Sequence, residues 1–252
     1  MLTLTSAQIE AMLGAFLWPF VRVLALVMSA PILGHRAVPR RVKVGLSLLV
    51  TALVVPTLPA APALDASTAF LLLLQQMLIG IALGLAMHVA FAAVQLAGDM
   101  IGVQMGLSFG NFIDPQHSGQ SPVLGMYLGL LATLVFFAID GHLMLIGVLA
   151  ESFHHAPISA EPVWGSRWTG LIAWGGELFR IGLHLALPVL CAMLAVNIAL
   201  GVMMRAAPQL NLFSIGFPIA LIVGLSMIAL LLPYLGSPLQ ATLLEALRVP
   251  IR

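Results

Sequence analysis

Six long runs of apolar residues alternate with short polar or glycine- and proline-rich connectors along the chain. Each run approaches or exceeds the roughly 20 residues that an α-helix needs to cross a ~30 Å hydrocarbon layer. Because lipid requires backbone hydrogen bonds to be satisfied within a segment, the pattern predicts an all-α membrane protein of about six long hydrophobic helices. The runs are Ala11–Leu33, Val44–Ala61, Ala69–Ala97, Val123–Ala150, Gly170–Val202 and Leu212–Leu235.

Two features complicate six simple membrane crossings. As straight helices, Ala69–Ala97 and Val123–Ala150 would each be about 42 Å long, which exceeds the thickness of the hydrocarbon layer. Titratable side chains also lie within or at the edges of the runs, which is typical of helices that pack against protein rather than lipid. These residues are Arg22, His88, Asp140, Glu177, Arg180 and His184.

Composition supports the membrane interpretation. Hydrophobic residues make up 61% of the 252 residues and charged residues only 8%, whereas about a quarter of a soluble domain is charged. The formal net charge of +1 provides no basic field for nucleic acid, so we expect no nucleic-acid partner. Cys191 is the only cysteine and cannot form an internal disulfide.

The connector between the first two runs carries a concentration of positive charge. Arg36, Arg40, Arg41 and Lys43 are four of the ten basic residues in the chain. Connectors rich in Lys and Arg remain on the cytoplasmic side of bacterial membranes. The sequence therefore predicts a cytoplasmic connector and an N-terminus outside the cytoplasm.

Glycines recur every four residues at Gly98, Gly102, Gly106 and Gly110. On a helix this spacing places them on one face, where small residues allow another backbone to approach closely. The same glycines also weaken a helix by about 1 kcal/mol each relative to alanine. The repeat therefore predicts either tight helix packing, with Gly98 and Gly102 at the contact, or a segment that bends or unwinds.

The segment 106–122 combines helix breakers with apolar side chains. Gly110, Pro115, Gly119 and Pro122 interrupt regular helix, yet Leu107, Phe109, Phe112 and Ile113 are too apolar for a solvated loop. Such a loop must bury its side chains against something. It either folds back on its own helices or inserts into a cavity or pore.

Two polar stripes lie on predicted helices. Glu177, Arg180 and His184 share one helical face, and Glu177 precedes Arg180 at a spacing that favours an ion pair. We predict a buried Glu177–Arg180 pair, with a proton relay as the alternative. His88, Gln95 and Asp99 form a second stripe, which is suited to hydrogen bonds between subunits.

No motif for catalysis or metal binding is present. Asp140, His142, His154 and His155 lack the spacing of a known ligand set, and the chain has no HExxH, GxSxG, Walker or GxGxxG motif. We therefore expect no enzymatic activity, no cofactor and no metal.

The connector before the last apolar run resembles the FliR family, the flagellar members of the type III export-gate proteins. The resemblance rests on Arg205, Pro208, Gln209, Asn211 and Phe213, in the pattern Arg-x-x-Pro-Gln-Leu-Asn-x-Phe. Three further stretches support it, namely Phe109-x-x-Phe112-Ile113-Asp114-Pro115, Gly141-His142 and Ser152-Phe153. Chain length and the order of apolar runs also match, so the resemblance covers essentially the whole chain.

The resemblance implies a single export-gate domain with helices in hairpins, in which a P-like part (1–165) is fused to a Q-like hairpin (166–252). It implies a bacterial inner-membrane location at the flagellar basal body. The implied partners are the gate proteins P and Q, the B subunit, the large A export protein, unfolded export substrates and lipid. The loop 106–122 would plug the channel, with Phe109 and Phe112 at the constriction. The implied plug residues are Gly106, Leu107, Phe109, Gly110, Asn111, Phe112, Ile113, Asp114 and Pro115.

A small-molecule transporter is the main alternative function. Such a protein would show an inverted repeat with helix breaks at matching positions in its two halves. The chain has one glycine-rich break, near its middle.

Overall fold

A computed structural model describes residues 6–58, 66–107, 123–159, 166–207 and 212–248. Side chains are described in these ranges except at the helix starts 6–13, 66–68, 166–168 and 212–214. This part of the chain consists of helices and connectors and contains no strand. The α-helices are α1 (Ser6–Ser29), α2 (Arg40–Val54), α3 (Ala66–Gln104), α4 (Val123–Ala138), α5 (Gly141–His155), α6 (Ser166–Ala206) and α7 (Leu212–Arg248).

The prediction of an all-α protein is confirmed for the described residues, but not every apolar run forms a span. Helices α3, α6 and α7 are long and apolar enough to cross a membrane. Helix α2 has only 15 residues before a 3-10 turn at Val55–Thr57. At 1.5 Å per residue it is about 22 Å long, and the expected span over Val44–Ala61 is not confirmed among the described residues.

The run Val123–Ala150 is broken into two helices, α4 and α5, which are bent by 70°. Asp140 lies at the break with φ 54°, the left-handed region that Asp tolerates better than most residues. Its carbonyl then accepts the first hydrogen bonds of α5, from the backbone N–H groups of Leu143 and Met144. The expectation of one continuous helix here is therefore wrong, because a local backbone reversal interrupts it.

Helix α7 continues well beyond the predicted end of its apolar run at Leu235 and reaches Arg248. It contains Pro218, Pro233 and Pro238, each of which lacks the N–H that a helix normally uses. One carbonyl in this region, that of Pro238, accepts a hydrogen bond of 2.9 Å from the hydroxyl of Thr242.

The described residues fall into two compact packing units. The first draws on Met1–Val89, Asp140–Gly175 and Leu243–Arg252, and the second on Ala90–Ile139 and Gly176–Thr242. Helices α3, α6 and α7 each contribute residues to both units. The division at residue 165 into P-like and Q-like parts remains a prediction from the sequence.

In the first unit, α1 packs closely on α3 at two glycines. A Cβ atom on Gly80 would collide with the Arg22 carbonyl, and one on Gly84 would collide with the Ser29 hydroxyl. These glycines are four residues apart, the spacing that permits close approach of helices in membranes. Trp174 adds a buried hydrogen bond of 2.9 Å from its indole nitrogen to the Ala86 carbonyl.

In the second unit, α3 packs on α4 with Gly98 at the point of closest approach. A Cβ atom on Gly98 would lie 2.5 Å from the Leu124 carbonyl oxygen and 2.7 Å from the Gly125 backbone. At Gly102 the nearest atom would be 3.8 Å away, which is ordinary contact. The rings of Phe91 and Phe136 meet edge to face at 6.0 Å in the same unit.

We therefore expect Gly98→Ala to destabilise the protein and Gly102→Ala not to. The alanine at 98 must push backbone apart, and overpacking of this kind costs about 1–3 kcal/mol. At 102 the added methyl fits, and alanine gains up to about 1 kcal/mol of helix propensity. Thermal unfolding of both variants in one detergent checks this. Equal melting temperatures would contradict close packing at Gly98.

Candidate functional site

Helix α3 ends at the start of the predicted plug in a well-formed glycine cap. Gly106 has φ 79°, the Leu107 N–H bonds to the Gly102 carbonyl, and the Gly106 N–H bonds to the Val103 carbonyl, both at 3.0 Å. This is the Schellman pattern, in which the left-handed residue is usually glycine. Gly106 therefore fixes where the helix stops and the loop begins.

The remaining plug residues lie outside the described residues. They are Phe109, Gly110, Asn111, Phe112, Ile113, Asp114 and Pro115. Their role as a plug remains a prediction from the sequence.

The family motif is described only at its edges. Arg205 lies exposed in the last turn of α6, where a cation interacts favourably with the helix C-terminus. Phe213 lies in the first turn of α7. Pro208, Gln209 and Asn211 lie outside the described residues.

The Glu177–Arg180 ion pair forms on α6, but it is not buried in the isolated chain. The Arg180 Nε contacts the Glu177 carboxylate, and the two side chains are 73% and 33% exposed, respectively. His184 on the same face is also exposed. Burial of the pair within an assembly remains a prediction.

Gln95 and Asp99, from the second polar stripe, lie against glycines of α4. A Cβ atom on Gly125 would collide with the Asp99 carboxylate, and one on Gly129 would lie 3.0 Å from the Gln95 amide nitrogen. The two glycines thus make room for polar side chains on the apolar helix α3. His88, the third member of the stripe, is exposed.

A buried arginine on α1 is the main feature that the sequence analysis did not resolve. Arg22 is fully buried. Its Nε donates to the Gln76 side-chain oxygen on α3 at 2.8 Å, and its terminal nitrogens donate to the Ser152 hydroxyl at 3.1 Å and the Ala156 carbonyl at 2.8 Å. One guanidinium therefore links α1, α3 and the end of α5.

No carboxylate pairs with Arg22 among the described residues. Its charge is balanced by neutral acceptors, by the Phe153 ring 4.0 Å below the guanidinium, and by the C-terminal end of α5, where backbone carbonyls carry partial negative charge. Two buried donors, the Trp18 Nε1 and the Gln76 Nε2, have no hydrogen-bond partner within the part of the chain that the structure describes. The cluster is rich in hydrogen-bond donors, so it is suited to holding these helices together rather than to transferring protons.

Sequence signals for this cluster were present but weak. Arg22 stood out as a charge within an apolar run, whereas Gln76 and Ser152 are 54 and 130 residues away and carry no motif. The Gly80–Gly84 spacing was the readable signal that this part of α3 meets another helix. Among the described residues, no three His, Cys, Asp or Glu side chains come together as a metal site.

Helices α6 and α7 leave most of their apolar surface uncovered. In the most apolar windows of α6 and α7, 28% and 22% of the residues are buried, compared with 56% in α3. Large exposed side chains include Phe179, Ile198 and Val202 on α6 and Ile222, Leu230 and Tyr234 on α7. Exposed apolar surface of this kind marks contact with lipid or with another protein.

Long apolar helices with uncovered apolar faces define the class of the molecule. The described part of the chain has three helices suited to crossing a membrane, or four if the bent pair α4 and α5 counts as one span. These features fit an integral membrane protein.

Residues 13–246 match the sequence model of "Bacterial export proteins, family 1", and the chain belongs to this family. It is similar to the flagellar biosynthetic protein FliR of Pectobacterium carotovorum subsp. carotovorum, with 47% identity over 235 residues (92% of this chain and 90% of the relative). Identity to FliR of Escherichia coli K12 is also 47%, over 94% and 91% of the two chains. FliR of Bacillus subtilis 168 is 33% identical over 85% and 84%.

The comparisons confirm the resemblance to the FliR family over nearly the whole chain. Neither the family description nor the names of these relatives describe an enzyme.

The Arg22 cluster gives a test by paired substitution. We expect Gln76→Leu to lower the free energy of unfolding by about 3 kcal/mol, because it strips the main acceptor from a buried cation. Adding Arg22→Met removes that cation, so the double variant should be more stable than Gln76→Leu alone. Denaturant unfolding in detergent measures both, with the exposed Arg36→Met as a control expected within about 0.5 kcal/mol of wild type. Additive losses would contradict the proposed coupling.

Proposed function

We propose that the chain is a structural and gating subunit of the flagellar type III protein export channel in the bacterial inner membrane. Membership of the FliR family is the observation that carries this proposal, because the relatives are named as flagellar biosynthetic proteins. The uncovered apolar faces of α6 and α7 support it, since a subunit of a larger assembly exposes such faces when isolated.

The proposed partners are the P and Q gate proteins, with the B subunit and the large A export protein as further contacts. A P-like part (1–165) and a Q-like hairpin (166–252) would let one copy close a ring of these smaller proteins. The exposed Glu177–Arg180 pair is a polar group that a facing subunit could bind. Arg205 and its motif would fix the turn between α6 and α7 for docking.

The proposed orientation follows from the basic connector. Arg36 in the connector and Arg40 and Arg41 in the first turn of α2 are exposed, so the corner between α1 and α2 belongs on the cytoplasmic side. The N-terminus of α1 is then periplasmic.

The proposed gate is the segment 106–122, which follows the glycine cap of α3. Apolar side chains in a narrow channel exclude water and block ions by dewetting. Phe109 and Phe112 would form this constriction, and an unfolded substrate would displace the loop during export. Gly106 supports the proposal because its left-handed conformation ends the helix directly before the loop.

Assembly provides the first test of this function. Co-expression with the P and Q proteins should yield one defined complex containing the chain, because burial of the α6 and α7 faces favours association. Size-exclusion chromatography with mass measurement checks this. A stable, monodisperse monomer that ignores both partners would count against the proposal.

The plug provides the second test. Replacing residues 108–121 by a short Gly-Ser linker should leave the complex assembled but let ions or small dyes cross the membrane of cells that make the whole gate. Phe109→Ala with Phe112→Ala should leak less than the linker variant. Asn111→Ala is the matched control, because it removes no apolar bulk. If the linker variant assembles and is no more permeable to ions and dyes than wild type, the segment is a connector and not a plug.

A further inference from the structure

Helix α2 buries polar side chains and exposes apolar ones, the reverse of a helix in water. Its buried face carries the polar residues Lys43, Ser47 and Thr51 together with two valines. Its outward face carries Leu49 and Leu53, which are 68% and 77% exposed. A water-soluble helix places these two kinds of residue the other way round.

The buried polar residues are satisfied within the first packing unit. The Ser47 and Thr51 hydroxyls donate to the carbonyls of Lys43 and Ser47 at 2.7 and 2.6 Å. The Lys43 ammonium donates to the Gly34 carbonyl at 2.7 Å, which ties α2 to the turn after α1. The outward face therefore has no need of water, and its apolar side chains favour an apolar neighbour.

Three exposed arginines lie at the N-terminal end of α2. Arg40 and Arg41 form the first turn of α2, Arg36 precedes it, and none of them pairs with a carboxylate among the described residues. Cations at a helix N-terminus oppose the helix dipole. Pro39 supplies no side-chain cap there, but its carbonyl accepts hydrogen bonds from the Val42 and Lys43 N–H groups at 3.0 and 3.2 Å. The guanidinium groups and the positive end of the helix dipole therefore favour an external anion.

The length of α2 and the position of its charges match the layout of a phospholipid. From Arg41 to Leu53 the helix rises about 18 Å, close to the depth of one leaflet of a ~30 Å hydrocarbon layer. Charge is confined to one end, and the remainder of the outward face is aliphatic. A lipid has this distribution, with a phosphate at one end and an acyl chain behind it.

We propose that the corner between α1 and α2 binds an anionic phospholipid. Its phosphate lies among Arg36, Arg40 and Arg41, and its acyl chain lies along the Leu49 and Leu53 face. This site is separate from the proposed gate and would anchor the corner in the cytoplasmic leaflet.

The test uses the full-length chain in a neutral detergent, with dioleoylphosphatidylglycerol as the probe and dioleoylphosphatidylcholine as the neutral comparison. Native mass spectrometry gives the apparent Kd of each lipid. The triple variant R36Q/R40Q/R41Q should bind the anionic lipid roughly tenfold to 100-fold more weakly, because each basic side chain near an anionic surface contributes on the order of fivefold. The control R180Q/R205Q/R248Q removes three exposed arginines elsewhere and should change this Kd less than threefold.

A separate double variant tests the acyl-chain part of the site. Leu49→Ser with Leu53→Ser changes only exposed side chains, so the fold should persist while affinity for the lipid falls several-fold. The proposal would be overturned by equal affinity for the two lipids or by equal losses in the two arginine triples. Displacement of the lipid by inorganic phosphate, but not by chloride at equal ionic strength, would also overturn it in favour of a simple anion site. If the R36Q/R40Q/R41Q variant binds the lipid as well as wild type but co-purifies with less partner protein, the corner is a protein contact and the proposal is overturned.

Discussion

The buried guanidinium of Arg22 is the interaction on which the first packing unit depends. Burying a cation without a carboxylate is costly unless neutral acceptors surround it. Gln76, Ser152 and the Ala156 carbonyl meet this requirement, and Phe153 covers the charge from one side. Because Arg22 requires these acceptors, α3 and the end of α5 pack against α1. The glycines at 80 and 84 then allow α1 and α3 to approach closely.

The second constraint is that the chain places much of its apolar surface outward. A smaller share of residues is buried in α6 and α7 than in α3. Helix α3 therefore forms part of the core, whereas α6 and α7 leave apolar surface for a neighbour to cover. Helix α2 repeats this arrangement on a smaller scale, with polar residues inside and leucines outside. A single chain of this kind is stable only where lipid or other subunits cover it, which agrees with a role in a membrane-embedded assembly.

The sequence was sufficient for the helical class, the membrane character and the family, because these depend on long apolar runs and on the local motif around Arg205. It could not reveal the break at Asp140, which depends on one residue adopting a left-handed conformation. The Arg22–Gln76 bond was also beyond it, because the partners are 54 residues apart and no local pattern joins them. The Glu177–Arg180 pair was predicted from spacing, but its exposure depends on which face of α6 meets the rest of the chain.

If other export-gate proteins cover the outward face of α6, as proposed, a residue on that face can report the contact. Cys191 is the only cysteine and lies exposed on this helix. A photoreactive maleimide can be attached there, or at cysteines replacing Leu194 or Ile198 in a cysteine-free background. In cells that make the whole gate, we expect cross-links to the P or Q protein from at least one position. Cross-links to lipid alone from all three positions would contradict this expectation.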